Sequence, residues 1–296
     1  MFHIFILNEK SLRGRLYNCR EDIKGICENN GLHYKTVTTR SVEELKYEVK
    51  QYAAHDNVVY YAVGGDGTFQ VLVNAVDLEN AVLQYLPYGS GNNAYLTFYN
   101  KSFDLKRDIL SAETFKADLG QANGEYFITM FGLALDAKIG YNLARFKRFP
   151  IPGKAKYYMS ILYTLLFQRK PVKIKLTAGG ESKDITSSFI SITNGATIGG
   201  QTPISPYSSA FDGKLNAVIC DKVPLSDLLK LFSSIDSSGK HLNSPHVTQY
   251  LFEELSFENE NDNKLMYEID GEIRHASRID IKACKDAITL KGIRKI

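Results

Sequence analysis

The stretch VVYYAVGGDGTFQVLV, residues 58–73, joins an apolar run to a glycine-rich turn and then to apolar residues at helical spacing. This order predicts a buried strand over Val58–Val63, a loop over Gly64–Thr68 and a helix over Phe69–Val76. Glycines let the main chain come close to an anionic ligand, and the start of a helix adds unpaired N–H groups and about half a positive charge. The stretch therefore predicts a phosphate-binding loop, although a plain strand-to-helix turn with Asp66 as its cap would have the same sequence.

A second glycine loop follows the next apolar run. Val82–Leu86 predicts a strand, and PYGSGNNA, residues 87–94, comes directly after it. Strands and helices alternate from Phe2 onwards, which predicts a largely parallel sheet with ligands at the carboxyl ends of its strands. We therefore expect both loops at one edge of the sheet, where Ser90 offers a hydroxyl and Asn92 can brace the loop. Taken alone, this loop is more typical of a turn than of a binding site.

The pattern changes near residue 117. Short apolar or alternating runs then dominate, and only Lys154–Gln168 and Leu225–Ser233 have a helical pattern. The sequence predicts an α/β domain with a mainly parallel sheet over residues 1–117, and a mainly antiparallel, β-rich domain over residues 118–296. The predicted strands of the second domain are Tyr126–Phe131, Lys173–Thr177, Ser187–Thr193, Lys214–Cys220, Leu265–Ile269, Ile279–Ala283 and Ile288–Leu290.

Length and composition are those of an ordinary folded protein. The chain has 296 residues, of which 44% are hydrophobic and 23% charged, and its net charge is +3. The four cysteines have neither the CxxC spacing of a zinc site nor the density of a disulfide scaffold, which favours reduced thiols in a cytoplasm. No run reaches the roughly 18 apolar residues of a membrane span, and the first residues do not resemble a signal peptide. We expect a cytoplasmic protein that is soluble or peripheral to a membrane.

One segment, residues 137–180, is strongly basic. It has no acidic residue and holds ten of the 36 lysines and arginines, interleaved with aromatic and apolar residues. Each basic residue near an anionic lipid surface contributes about 1 kcal/mol of attraction, so the segment predicts peripheral contact with an anionic membrane. The alternative is a β-rich core whose solvated rim carries the charge. No recognition motif for nucleic acid accompanies the basic residues, so we expect no nucleic-acid partner.

The order of the motifs resembles the diacylglycerol kinase catalytic-domain family, which includes bacterial soluble lipid kinases and is related to the sphingosine kinases and, distantly, to the NAD kinases. GGDGT at residues 64–68 and GSGNNA at residues 89–94 are similar to the family's two glycine loops. Later motifs follow in the family's order: ADLG at 117–120, GLALDA at 132–137, NG at 194–195, DGKL at 212–215 and DGE at 270–272. The similarity covers nearly the whole chain.

This resemblance implies a lipid kinase with ATP as co-substrate, Mg²⁺ as cofactor and diacylglycerol or a similar lipid alcohol as acceptor. Phosphoryl transfer needs a held phosphate, a metal that neutralises its oxygens and a carboxylate that takes the hydroxyl proton. Glu272 matches the family's proton acceptor, with Asp270 beside it. Asp212 matches the ligand of the family's structural magnesium site, completed by main-chain oxygens of Ser209 and Lys214. The resemblance thus makes residues 1–117 the nucleotide-binding domain and residues 118–296 the substrate and metal domain. The positions that match the nucleotide site are Asn8, Thr39, Gly64, Gly65, Asp66, Gly67, Thr68, Ser90, Gly91 and Asn92.

Two residues depart from the family's pattern. Val71 stands where the family usually has glutamate, and Asn93 where it has aspartate. A nucleotide- or lipid-binding protein with the kinase fold but weak or no turnover is therefore an alternative. An NAD kinase-like enzyme is another, which the DGKL and DGE matches disfavour, although both are also ordinary turn sequences. The oligomeric state does not follow from the sequence, and a homodimer is one assembly compatible with it.

Overall fold

The protein divides into two compact units. The computed structural model describes residues 1–53, 55, 57–100, 102–146, 149–150, 152–198, 201–259 and 263–295, without the side chains of residues 153 and 154. The first unit consists of Met1–Asp118 and Asp286–Ile296, and the second of Leu119–Lys285. The sequence instead places everything after residue 117 in the second domain. The residues after Lys285 belong to the first unit instead, because Leu290 is fully buried and pairs in parallel with Leu83 of that unit.

Strands and helices alternate through the first unit. Ser41 caps its third helix by accepting a hydrogen bond from the N–H of Glu44 at 3.2 Å. The fourth helix begins at Asp66, earlier than predicted, because Gly65 serves as its N-cap. The elements are β1 Phe2–Asn8, α1 Glu9–Leu12, α2 Leu16–Asn29, β2 His33–Thr39, α3 Val42–Tyr52, β3 Val58–Gly64, α4 Asp66–Val73, β4 Val82–Pro87, α5 Asn93–Phe98 and α6 Leu105–Leu110.

The strands of the first unit form a parallel sheet in the order β2, β1, β3 and β4. Their register aligns Asn8 with Thr39 and Gly64 with Pro87. The loops that follow these strands therefore leave from one edge of the sheet. The core of the unit lies between this sheet and apolar residues of α2 and α6.

The second unit is built mainly from antiparallel strands. Its β5 begins in the first unit, and its β15 ends there. The elements are β5 Thr114–Ala122, β6 Glu125–Phe127, β7 Met130–Ala134, α7 Leu135–Phe146, α8 Gly153–Phe167, β8 Val172–Ala178, β9 Glu181–Thr193, β10 Leu215–Asp221, α9 Leu225–Ser233, β11 Val247–Phe252, β12 Glu254–Glu258, β13 Leu265–Ile269, β14 Glu272–Ala276 and β15 Arg278–Lys291.

The antiparallel strands follow one another in the order β14, β13, β7, β9, β8, β12 and β15. Strand β10 pairs with β9 and with β11. Alternate residues of these strands, among them Phe131, Ile190 and Phe257, form the buried core of the unit. The predicted fold class, an α/β unit with a mainly parallel sheet and a β-rich, mainly antiparallel unit, is confirmed.

Two elements differ from the prediction for local reasons. The predicted strand Tyr126–Phe131 is split into β6 and β7. The reason is that the N–H groups of Ile128 and Thr129 donate hydrogen bonds to the carboxylate of Asp270 instead of to a neighbouring strand. Helix α7 is absent from the prediction because its buried face includes the polar Asn142, which interrupts the apolar stripe. Both differences arise from polar contacts with distant parts of the chain.

Candidate active site

The two glycine loops touch each other in the first unit. The N–H of Tyr88 donates to the carbonyl oxygen of Gly64 at 2.7 Å. A Cβ atom on Gly89 would lie only 2.6 Å from the Cα atom of Gly65. Glycine at residue 89 therefore allows the close approach of the loops. The parallel sheet brings them together as the sequence leads us to expect.

Asp66 holds the second loop against the first. Its carboxylate accepts hydrogen bonds from the N–H groups of Asn93 at 3.2 Å and Ala94 at 3.1 Å, and from the hydroxyl of Tyr85 at 3.3 Å. Burial raises the pKa of Asp66, and these donors oppose the rise. The resemblance places Asp66 among the nucleotide positions. In the structure it caps α5, and its contacts are with the protein itself.

The start of α4 has no comparable cap. Gly65 is its N-cap and offers no side chain to the N–H groups of the first turn. The N–H of Thr68 donates to the carbonyl oxygen of Gly65 at 2.9 Å. The N–H groups of Asp66 and Gly67 come before it, and they can bind an anion with their share of the helix dipole. Gly67 is exposed, and a Cβ atom there would meet nothing within 4 Å. An anionic ligand can therefore approach the main chain at this point.

Asn8 and Thr68 connect β1 to α4. Nδ2 of Asn8 donates to Oγ1 of Thr68 at 2.8 Å, and Oδ1 of Asn8 accepts from the N–H of Ser11 at 3.3 Å. Thr39 is buried and lies opposite Asn8 in the register of β1 and β2. These three candidate residues thus lie at the loop edge of the sheet, where Asn8 and Thr68 fix the loops in place.

The second loop presents Ser90 to solvent. Asn92 adopts a positive φ of 56°, and its Oδ1 accepts a hydrogen bond from the hydroxyl of Tyr85 at 3.2 Å. A Cβ atom on Gly91 would lie 3.1 Å from Oδ2 of Asp66. Gly91 and Asn92 therefore shape the loop, whereas Ser90 is the side chain of this loop that can reach a ligand.

The two departures from the family's pattern lie beside these loops. Val71 is half-buried on α4, and Asn93 is 9% exposed. Both Oδ2 of Asp66 and Nδ2 of Asn93 lie close to the Cβ position of Gly91, at 3.1 and 3.4 Å. An aspartate at residue 93 would place a second carboxylate beside Asp66, whereas the amide adds no charge.

In the second unit, Asp270 occupies the tight turn between β13 and β14. Its Oδ1 accepts hydrogen bonds from the N–H groups of Thr129 at 2.9 Å and Met130 at 3.0 Å and from the Thr129 hydroxyl at 2.5 Å. Its Oδ2 accepts from the N–H of Ile128 at 2.6 Å. Burial raises the pKa of Asp270, and these donors oppose the rise. Asp270 is therefore committed to holding the segment that leads into β7.

Glu272 is placed differently. It is the exposed first residue of β14 and lies opposite Ile269 in the hairpin. On the same strand, Arg274 donates two hydrogen bonds to the carboxylate of Glu125, both at 2.9 Å. The positive charge of Arg274 is therefore largely compensated by Glu125. Of the two acidic residues in the DGE motif, Glu272 is the one whose carboxylate is accessible to a substrate.

Two further acids of the second unit, Asp136 and Glu268, are buried together at 2% and 4% exposure. Burial raises the pKa of Asp136 to about 7, and burial together with the charge of Asp136 raises the pKa of Glu268 well above its ordinary value. A Cβ atom on Gly132 would press on Asp136, and one on Gly140 would overlap the carboxylate of Glu268. These two glycines, which make room for the acids, are the only hint of the pair in the sequence.

The candidate magnesium ligand, Asp212, lies in an exposed turn before β10. The N–H of Lys214 donates to its Oδ1 at 3.0 Å, and Gly213 has a φ of 74°. One carboxylate with main-chain oxygens of Ser209 and Lys214 has the donor chemistry that Mg²⁺ prefers. Within the described ranges, no group of three or more His, Cys, Asp or Glu side chains has a metal-binding arrangement.

The basic segment 137–180 contains α7, α8 and β8. Lys173 and Lys175 are exposed on β8, whose intervening residues are buried. Lys138 points inward instead, and its Nζ donates to two main-chain carbonyl oxygens just after α8, both at 2.9 Å. Lys147 and Arg148 lie outside the described residues. Part of the segment is thus an exposed basic rim, and part supports the fold.

The described helices include none whose length and apolar character would let it cross a lipid bilayer.

Two family models together match nearly the whole chain. The diacylglycerol kinase catalytic domain matches residues 3–122. The YegS C-terminal NAD kinase beta sandwich-like domain matches residues 130–290. The two matches correspond to the glycine loops and to the unit that carries the DGE hairpin.

Individual relatives agree with these matches. The diacylglycerol kinase of Bacillus subtilis (strain 168) is 26% identical over 232 residues, which cover 74% of this chain and 73% of that protein. A Staphylococcus haemolyticus protein assigned as a lipid kinase is 28% identical over 304 residues, 93% of this chain and 94% of that one. A crystal structure from Bacillus anthracis str. Sterne, assigned as a diacylglycerol kinase, has the same fold, with a TM-score of 0.77 at 18% identity over 98% of this chain and 96% of that one. The chain therefore belongs to the diacylglycerol and lipid kinase family, in which a diacylglycerol kinase catalytic domain is followed by a YegS C-terminal domain.

Proposed function

We propose that the protein is an ATP- and Mg²⁺-dependent kinase that phosphorylates the hydroxyl of diacylglycerol or a similar lipid alcohol. The observation that carries the proposal is the contrast between the two helices at the glycine loops. Asp66 caps α5, whereas α4 begins at a glycine and keeps its first N–H groups for a ligand. Membership of the family supports the reaction class.

The nucleotide would bind with its phosphates at the start of α4. Main-chain N–H groups near Gly65 and Gly67 supply the hydrogen bonds, and the helix dipole adds a positive potential. Ser90 offers a hydroxyl from the neighbouring loop. Asn8, Thr68 and Asp66 keep the two loops at a fixed distance, which preorganises the site for the phosphates.

In the transfer step, the lipid hydroxyl oxygen bonds to the terminal phosphorus of ATP, and the bond from that phosphorus to the ADP oxygen breaks. The hydroxyl proton passes to Glu272, the accessible carboxylate of the DGE hairpin. Asp270 cannot easily share this role because four donors occupy its oxygens. Mg²⁺ would supply positive charge that neutralises phosphate oxygens. Asp212 with main-chain oxygens of Ser209 and Lys214 would hold a structural Mg²⁺ in the second unit.

The decisive experiment measures transfer of labelled phosphate from ATP to diacylglycerol, monoacylglycerol, sphingosine and NAD. Glu272→Gln keeps the shape of the side chain and should lower turnover roughly 10²- to 10⁴-fold with little change in ATP affinity. Glu181→Gln, at the exposed start of β9, is the matched control and should retain full activity.

Each outcome identifies one function. Phosphorylated NAD without phosphorylated lipid would establish the NAD kinase-like alternative. ATP binding with no transfer to any acceptor would establish a binding protein without turnover, in line with Val71 and Asn93. A drop of less than about threefold in Glu272→Gln would move the proton acceptor elsewhere.

We also propose that the enzyme works in the cytoplasm in peripheral contact with anionic membranes through segment 137–180. Binding to vesicles should rise with anionic lipid and fall as salt shortens the screening length from about 10 Å at 0.1 M to about 3 Å at 1 M. Replacing Arg145, Lys173 and Lys175 by serine should weaken binding, whereas the same change at three exposed lysines of the first unit, Lys24, Lys46 and Lys50, should not. If the amount of protein that cosediments with vesicles changes neither with salt nor with these substitutions, the basic residues would be a purely structural rim.

A further inference from the structure

The candidate magnesium ligands lie on one loop, residues 209–214, which we call the metal loop. It is part of the chain between β9, which ends at Thr193, and β10, which begins at Leu215. Asp212 is exposed, and its carboxylate accepts a hydrogen bond from the N–H of Lys214 at 3.0 Å. This local contact fixes the turn within the loop, whereas the position of the loop depends on contacts that the rest of the unit makes with its two ends.

Thr193 contacts both ends of the metal loop. It is fully buried at the last position of β9. Its Oγ1 is hydrogen-bonded to Oγ of Ser208, the residue directly before Ser209, at 2.8 Å. After the loop, Thr193 pairs with Asn216 of β10, two residues beyond Lys214. One buried residue thus connects the start and the end of the segment that would hold the metal.

Ser208 is held from a second direction as well. Its Oγ donates to Oγ of Ser205 at 2.7 Å, and its N–H donates to the carbonyl oxygen of Ser205 at 3.0 Å. Ser205 is buried, and the carbonyl oxygen of Ile204 before it accepts a hydrogen bond from Nε2 of the buried His241 at 2.8 Å. The hydroxyls of Thr193, Ser208 and Ser205 therefore form a chain that ties the metal loop to the interior of the unit.

The end of β9 is a firm support for this chain of hydroxyls. Thr193 lies opposite Met130 of β7, and the N–H of Asn194 donates to the carbonyl oxygen of Thr129 at 3.0 Å. Thr129 and Met130 in turn donate their N–H groups to the carboxylate of Asp270. The metal loop and the DGE hairpin are therefore both attached to the same two strand ends, those of β7 and β9.

We propose that Thr193 is a positioning residue for Mg²⁺, because its hydroxyl acts through Ser208 to hold the metal loop in the conformation that binds the cation. A loop that is already in its bound conformation loses less conformational freedom on binding, which raises the affinity. Loss of one neutral hydrogen bond that supports it should weaken cation binding about fivefold. This inference rests on the proposed function in that it takes the metal loop as the magnesium site.

The test measures binding of the metal alone to the full chain, without ATP or lipid. Mn²⁺ prefers the same oxygen ligands as Mg²⁺, and its binding can be followed by electron paramagnetic resonance. Asp212→Asn shows which part of the Mn²⁺ binding belongs to the metal loop. Thr193→Val keeps the shape of the side chain without its hydroxyl and should raise the Kd for Mn²⁺ about fivefold. Thr193→Ser keeps the hydroxyl and should restore the Kd of the wild type.

Ser187→Ala is the matched control. Ser187 is fully buried on the same strand, and its Oγ donates to the carbonyl oxygen of Cys220 at 2.7 Å, at the end of β10 remote from the metal loop. Its loss should lower the free energy of unfolding, as the loss of the Thr193 hydroxyl does, but leave the Kd for Mn²⁺ unchanged. The comparison separates a residue that positions the metal loop from one that only stabilises the fold.

Ser208→Ala removes the other partner of the same hydrogen bond and tests the proposal even if Thr193→Val does not fold. It lies at a half-buried position and should also raise the Kd for Mn²⁺ at least fivefold, roughly, because the contact with Ser205 is lost too. If Thr193 acts through Ser208, the double variant should bind Mn²⁺ no more weakly than Ser208→Ala alone.

Three results would overturn the proposal. The first is an unchanged Kd for Mn²⁺ in folded Thr193→Val and Ser208→Ala, and the second is an equal rise in Ser187→Ala. The third is Mn²⁺ binding that Asp212→Asn does not reduce, because the metal loop would then hold no cation. Mn²⁺ binding that follows the expected pattern, in an enzyme that transfers no phosphate, would contradict the proposed kinase activity and support the role of Thr193.

Discussion

The glycine loops and the DGE hairpin each contain a half-buried aspartate that accepts hydrogen bonds from main-chain N–H groups of a segment far away in sequence. Asp66 binds the N–H groups of Asn93 and Ala94, and Asp270 binds those of residues 128–130. The regions differ in what they leave accessible. The loops leave N–H groups at the start of α4, which suit an anion, and the hairpin leaves the carboxylate of Glu272, which suits a proton.

This difference shows that in each motif one residue supports the local structure and other residues are available to a ligand. In both, the aspartate is the residue that fixes the geometry, and its neighbours are exposed to the ligand. The first acidic residue of each motif, Asp66 or Asp270, is therefore a support of the site. Substitutions can separate the two roles, because loss of a support should lower stability, whereas loss of an exposed group should lower binding or turnover alone.

The largest effect is expected from Asp270→Ala. It leaves three buried N–H groups without their acceptor, and at about 1–3 kcal/mol for each group the free energy of unfolding should fall by roughly 4 kcal/mol. Urea denaturation measures this loss, with Glu272→Ala as the control that should stay within about 0.5 kcal/mol of the wild type. A loss in Asp270→Ala below about 1 kcal/mol would mean that the hydrogen bonds of Asp270 are not its main role.

Gly65→Val tests the accessible side of the comparison. The φ of −95° at Gly65 is open to any residue, and a Cβ atom there would make ordinary contacts, with Gly89 at 3.5 Å and Ser11 at 3.8 Å. The fold should survive, but the branched side chain would cover the N–H groups, and ATP affinity should fall about 100-fold, equivalent to about 2.7 kcal/mol. Titration calorimetry measures the affinity. Gly89→Ala would force the loops apart and should instead lower the free energy of unfolding. Unchanged ATP affinity in a folded Gly65→Val variant would show that the phosphates do not bind at this loop.

Asp66→Asn should lower the free energy of unfolding by about 2 kcal/mol, because the neutral amide accepts less strongly from Asn93 and Ala94 and presents a donor to one of them. Thermal or urea unfolding measures the change. A variant of normal stability with weakened ATP binding would show instead that Asp66 contacts the ligand.

The last effect depends on pH and concerns Asp136, which is buried together with Glu268. Burial raises the pKa of Asp136 to about 7 in the folded protein, against about 3.9 in the unfolded chain. Between these values the folded state holds a proton that the unfolded state has released, so stability should fall as pH rises from about 4 to 7, by up to about 1.4 kcal/mol per pH unit. Asp136→Asn should remove this share of the slope when urea unfolding is compared at pH 5, 6 and 7. An unchanged slope would assign the pH dependence to other groups, with Glu268 as the next to replace.

The sequence predicts those parts of the site that depend on local order. The strand, glycine loop and helix at residues 58–73 follow from spacing alone, and the parallel sheet then brings the loop at residues 87–94 beside them. The partners of Asp270 could not be predicted, because they lie more than a hundred residues earlier and are main-chain groups that any residue would supply. The pair of Asp136 and Glu268 is hidden for a similar reason, since two glycines, Gly132 and Gly140, are a weak signal that two acids are buried beside them.

The course of β15 has a consequence for how the protein is made. The strand starts in the second unit, and its last residues pair with β4, while the N–H of Lys295 donates to the carbonyl oxygen of Phe98 and that of Gly292 to Glu113, both at 2.9 Å. During synthesis on the ribosome, residues 1–118 emerge long before these partners. The edge of β4 in the first unit therefore stays unpaired until the whole second unit has been translated. A fragment that stops at residue 118 should expose that edge permanently and aggregate.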